Sequence, residues 1–158
     1  MAVKPKVGVW ILCDQLKPGI ASLKDVKPAE ASIILIEAQA VPHNRKCHKK
    51  KMVLHLAAMR HFREELEQLG FEVLYYPIEK EKSPEKPLEC VDKGLREAIK
   101  KNKIKKLHWM QPTDYDHWEV YGQLLEKLPC DVTLYENNMF INSLDEFKEW
   151  EESQDDLV

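Results

Sequence analysis

The sequence predicts a three-layer α/β domain built on a five-stranded parallel sheet, and three observations predict it. Short, nearly continuous apolar runs alternate along the chain with helical patterns; strands covered on both faces read this way because neither face needs polar residues. At 158 residues and 18.5 kDa, with 44% hydrophobic residues, the chain fits one globular domain and leaves little room for a second. Strict strand–helix alternation implies right-handed crossovers with helices on both sheet faces.

The first two strands are Val7 to Cys13 and Ser32 to Glu37, joined irregularly through Pro18, Gly19 and Pro28 with at most a short helix near Ala21. A long helix follows from about Lys46 to Leu69, where Met52, Val53, Leu56, Met59, Phe62, Leu66 and Leu69 recur at helical spacing until Gly70 stops the run. The third strand is Phe71 to Ile78, and the charged, proline-bearing stretch Lys80 to Pro87 is a surface loop. A second helix covers Pro87 to Lys101, before a fourth strand at Lys106 to Met110. A third helix begins near Thr113, whose hydroxyl is placed to cap it with Asp116 three residues on, and runs through Trp118, Tyr121 and Leu125 to Pro129. The fifth strand, Val132 to Tyr135, reads as buried on both faces like the others; the last helix, Ser143 to about Glu152, sets Leu144, Phe147 and Trp150 on one face. The expected order is 3-2-1-4-5, a relative of the flavodoxin-like arrangement. Residues 1–152 then form one Rossmann-like domain, and the acidic stretch 153–158 opens a linker.

Composition narrows the function classes. A net charge of -3 excludes a globally basic nucleic-acid binder, and no apolar run approaches the length of a membrane span. The four cysteines form no C-x-x-C pair, so reduced thiols in a cytoplasm are the expectation. The five glycines stand far apart, leaving neither G-x-G-x-x-G nor G-x-x-x-x-G-K-[ST].

In open α/β sheets ligands collect at the carboxyl ends of the strands, where the strand order reverses. That rule selects Asp14 and Gln15 after the first strand, Glu37 after the second, and Gln111 and Thr113 after the fourth, with His55 on the flank. The competing reading of the first loop is an Asx-turn at Asp14 with Gln15 in solvent. The run from Arg45 to Lys51 puts cations in the opening turns of the long helix, against its macrodipole, so His48, Lys49 and Lys50 are candidates to hold an anion. The alternative there is a solvated basic helix start. His43, Cys47 and His48 have no spacing of a known metal motif. Helical spacing favours core packing over ligand stacking for Trp118 and Tyr121, and no nucleophile–histidine arrangement can be read, so no catalytic residue is assigned.

Four stretches together resemble a known family: Ile11-Leu12-Cys13-Asp14-Gln15-Leu16-Lys17-Pro18; His48-Lys49-Lys50-Lys51 running into Ala58-Met59-Arg60-His61-Phe62-Arg63-Glu64-Glu65-Leu66; Gln111-Pro112; and Phe140-Ile141-Asn142-Ser143 with Glu146, Phe147 and Trp150. They resemble the amino-terminal domain of the deoxyribodipyrimidine photolyase-related proteins, which include iron-sulfur bacterial cryptochromes and prokaryotic (6-4) photolyases. The resemblance implies an antenna domain for a chromophore such as 6,7-dimethyl-8-ribityllumazine, itself non-catalytic. It also implies that FAD, an iron-sulfur cluster and DNA contact belong to a separate helical domain, the expected partner. Two other classes stay open: a stand-alone flavodoxin-like enzyme acting on an anionic or nucleotide-like substrate, and an interaction module meeting nucleic acid through its lysine runs.

Overall fold

The computed structural model describes residues 7–38, 48–78 and 87–154. Its strands are Val7–Trp10 (β1), Ala31–Ile36 (β2), Glu72–Tyr76 (β3), Lys106–Met110 (β4) and Asp131–Tyr135 (β5). All pairs are parallel and the order is β3-β2-β1-β4-β5. The helices are Lys49–Gln68 (α1), Pro87–Asn102 (α2), Tyr115–Leu125 (α3) and Leu144–Glu152 (α4), and two 3₁₀ turns, Ala21–Leu23 and Pro28–Glu30, break up the first connection. The three-layer α/β fold with order 3-2-1-4-5 is therefore the one expected.

Because successive side chains on a strand point to opposite faces, each central strand feeds two cores. Trp10, Ile34, Ile36, Leu107 and Trp109 pack with α2 and α3 through Leu95, Ala98, Tyr121 and Leu124. Val9, Ile11, Ile33, Leu35 and Met110 pack with α1 and the first connection through Met59, Phe62, Leu66 and Ile20. Gly70, at φ +88°, ends α1 in a conformation that costs other residues a steric penalty.

Four local expectations are corrected. The cap of α3 is Asp114, whose Oδ1 accepts from His117 N at 2.8 Å, while the Thr113 hydroxyl turns away to Asp14. Val53 and Leu69 are exposed, so only Met59, Phe62 and Leu66 of α1 are buried. β5 takes the edge position that the expected order implies but is not covered on both faces, since Val132 and Leu134 are exposed. Trp118 is likewise partly exposed, although Tyr121 is core as expected. The loop expected at Lys80 to Pro87 lies outside the described residues as far as residue 86, as do the terminal residues 155–158.

Candidate functional site

Buried strand-end carbonyls need donors, and Gln15 supplies them at the reversal point between β1 and β4. Its side chain is fully enclosed, and Nε2 donates to Gln111 O at 2.8 Å and to Met110 O at 3.3 Å; Leu12 N donates to Oε1 at 3.4 Å. The solvated-glutamine alternative is thus excluded. Thr113 Oγ1 donates to Asp14 Oδ2. Asp14, Gln15, Gln111 and Thr113 do come together, as a staple joining two loops.

Beside the staple lies a cavity of about 40 Å³ walled by Trp10, Cys13, Asp14, Ala38, His117 and Tyr121. Burial, then the Asp14 charge, push the Cys13 thiol up to about 11, so it stays protonated at neutral pH. His117 contacts Asp114 Oδ2 through Nδ1 and lies parallel to Tyr121, with ring centroids 5.2 Å apart. A carboxylate can only accept, so His117 Nδ1 carries a proton toward Asp114 and the ring is held in place. Sequence reasoning missed His117; its signal is the Asp114-x-x-His117 spacing at a helix start.

Glu37 follows β2 directly, with its carboxylate enclosed and its oxygens already taken. Arg60 Nε donates to Oε1 at 2.8 Å and Arg60 Nη2 to Oε2 at 3.2 Å; the Tyr75 hydroxyl donates to Oε1 and Ile78 N to Oε2 at 3.1 Å. Burial alone would raise the Glu37 carboxyl, but Arg60, Tyr75 and the Ile78 N–H outweigh it and hold it below the usual carboxylate range. Burial and the Glu37 charge together raise the Tyr75 phenol. The Arg63 guanidinium sits 5.1 Å from the centroid of the Tyr75 ring, adding a cation–π contact. Arg60 and Tyr75 were not singled out from sequence, since nothing local marks residues 23 and 38 positions away from Glu37 as its partners. His55 is half-buried on α1 and lines neither cavity described in this section.

At the start of α1, His48, Lys49 and Lys50 are exposed, and no acidic residue stands in the first turn. His48 is the cap: its Nδ1 accepts from Lys50 N at 3.2 Å, so one of the N–H groups an anion would take is already used. His43 and Cys47, with the loop after Ala38, lie outside the described residues.

A larger cavity lies elsewhere, a groove of about 960 Å³ between the β4–α3 loop and α4. Gln111 and Thr113 line it with Trp118, Phe140, Ile141 and Phe147. Two asparagines hold the β5–α4 loop that borders it. Asn137 Nδ2 donates to Gln111 O at 2.9 Å while its Oδ1 accepts from Met139 N at 2.9 Å. Asn138 accepts from Ala21 N and donates to Gly19 O, each at 2.9 Å, buckling the β5–α4 loop to the first connection.

A sequence profile described as deoxyribodipyrimidine photo-lyase-related protein matches residues 9–158. The chain belongs to that family. Within this photolyase-related chain, 71 residues are 44% identical to a (6-4) photolyase of Agrobacterium fabrum (strain C58 / ATCC 33970). The match covers 45% of this chain and 14% of that relative's length. Among the described residues no helix of the photolyase-related chain is long and apolar enough to cross a membrane.

Proposed function

We propose that this chain binds the antenna chromophore of a photolyase-related flavoprotein, at the carboxyl ends of β1, β2 and β4. The observation that supports it is the cavity at the strand-order reversal, with an aromatic wall from Trp10 and Tyr121 and the His117 ring, which Asp114 orients. Ligand sites combine such an apolar wall with a few placed polar groups, and a ribityl-lumazine offers matching hydroxyl donors and a flat ring. The described residues leave about 40 Å³ there, so they serve as the floor and one wall. When bound, the chromophore supplies near-visible absorption. Tyr121 and Trp10 would wall its ring, His117 would offer a ring nitrogen to one of its polar groups, and the Glu37–Arg60–Tyr75 cluster would hold the strand end beside it. FAD, the iron-sulfur cluster and contact with DNA lesions belong to the same reading, assigned to a separate helical domain, as does a cytoplasmic setting.

Titrating 6,7-dimethyl-8-ribityllumazine while following its fluorescence tests the site. Saturable binding is expected, weakened about tenfold or more by His117→Ala and by Asp14→Ala, as loss of a hydrogen bond in an enclosed site implies. Binding that neither substitution changes would put the ligand elsewhere, and no binding at millimolar ligand would remove the antenna role from this chain.

A further inference from the structure

Apolar side chains gather where the sheet ends at β5. Phe140 is 57% exposed and Ile141 is 102% exposed, on a loop tip that presents Met139 as well. Leu144, Phe147 and Trp150 form the stripe of α4 and all are exposed; no residue of that helix is buried. Across the groove stand Tyr115 and Trp118. These groups do not owe their exposure to a loose support. Asn137 and Asn138 tie the loop to two other segments. A capping box fixes the start of α4: Glu146 N donates to Ser143 Oγ at 3.0 Å and Ser143 N donates to Glu146 Oε2 at 2.7 Å. Soluble chains seldom leave a contiguous apolar patch of this kind uncovered, and aromatic residues are the side chains that anchor interfaces.

The charges around the patch select its occupant. α4 carries Asp145, Glu146, Glu149, Glu151 and Glu152 against Lys148. Asp114, Asp116, Glu119 and Glu136 border the other wall, and residues 111–126 contain no lysine or arginine. Nucleic acid and anionic lipid surfaces are repelled by such a rim, and a second copy would set carboxylates against carboxylates. A small molecule filling the groove would leave the protruding tip at Ile141 uncovered. We propose that this groove docks an amphipathic helix whose apolar stripe is flanked by lysines and arginines, the stripe covering Phe140, Phe147 and Trp118 and the cations facing the α4 carboxylates. The proposal is independent of the chromophore reading.

Synthetic peptides of about 18 residues, long enough to span roughly 27 Å as helices, provide the test: Leu/Lys with a helical stripe, Leu/Glu with the same stripe, and Leu/Lys scrambled to destroy it. Fluorescence anisotropy should show saturable binding of the striped Leu/Lys peptide, at least about tenfold tighter than either control. Phe140→Ser with Phe147→Ser should abolish it at unchanged melting temperature, and Glu149→Lys with Glu152→Lys should transfer the preference to the Leu/Glu peptide. Equal binding of all three peptides, no binding, or binding retained in the double serine variant would overturn the proposal. So would a dimer in sedimentation that Phe147→Ser dissolves, since the occupant would then be a second copy.

Discussion

Replacing Glu37 with Gln keeps the shape of the buried side chain and removes its charge. One carboxylate oxygen becomes an amide NH₂, which then faces Arg60 Nη2 and Ile78 N, both donors. The Arg60 side chain is 43% exposed and can turn to water, which limits the loss. Hydrogen bonds to charged groups are worth about 1.5 to 3 kcal/mol each, and Gln retains one acceptor, so a net cost of about 2 to 3 kcal/mol at pH 7 is expected. For a domain of this size that lowers the melting temperature by roughly 5 to 10 °C. The pH dependence follows from the lowered carboxyl of the folded state. The unfolded chain binds more protons, so the Glu37 contribution is complete above the ordinary glutamate range, near pH 4.3, and fades as pH falls through the folded value. Urea unfolding at pH 7 and near pH 3 should therefore show a gap between wild type and Glu37→Gln that narrows in acid. An equal gap at both pH values, or a loss below about 0.5 kcal/mol at pH 7, would show that the latch contributes nothing through its charge.

Other substitutions probe the frame. Gln15→Ala removes the donor to the Met110 and Gln111 carbonyls and opens a void in an enclosed position; a loss of about 2 to 4 kcal/mol in urea unfolding is expected. Gly8→Ala sets a Cβ 3.0 Å from Ile104 Cδ1 and Cγ2 and 3.1 Å from Leu107 Cδ1, all in the core, and should cost about 1 to 3 kcal/mol by overpacking. Gly122→Ala meets nothing within 4 Å on α3, so the same measurement should show a gain of up to about 1 kcal/mol.

The central strands were legible because their chemistry is local: Ala31 to Ile36 is buried at every position, and a segment covered on both faces leaves no alternation to misread. β5 was misjudged for the same reason. Val132 and Leu134 look no different in sequence from core residues, and an apolar run does not tell whether a helix covers the strand's second face. Thr113 and Asp114 are both good caps one residue apart, and the choice between them was settled by Asp14, 99 positions away, which takes the Thr113 hydroxyl. Of the site, the strand-end rule found the right loops but not the state of their side chains. The rule selected Glu37 for a ligand, whereas Arg60 from α1 and Tyr75 from β3 occupy it. Helical periodicity predicts which face of α1 is apolar, not which charge its edge will meet.

The strand order has a consequence during synthesis. Val7 pairs on one side with Ala31, 24 residues on, and on the other with Lys106, 99 residues on. At about 5 to 20 residues per second, the second partner is made roughly 5 to 20 s after β1. Through that interval β3, β2 and β1 can assemble into a half-sheet whose open edge carries Val9 and Trp10 with their backbone groups unpaired. Edges of that kind invite pairing with another chain. In the finished protein the same edge is the middle of the sheet, so the nascent chain, rather than the native one, carries the hazard of association through β1.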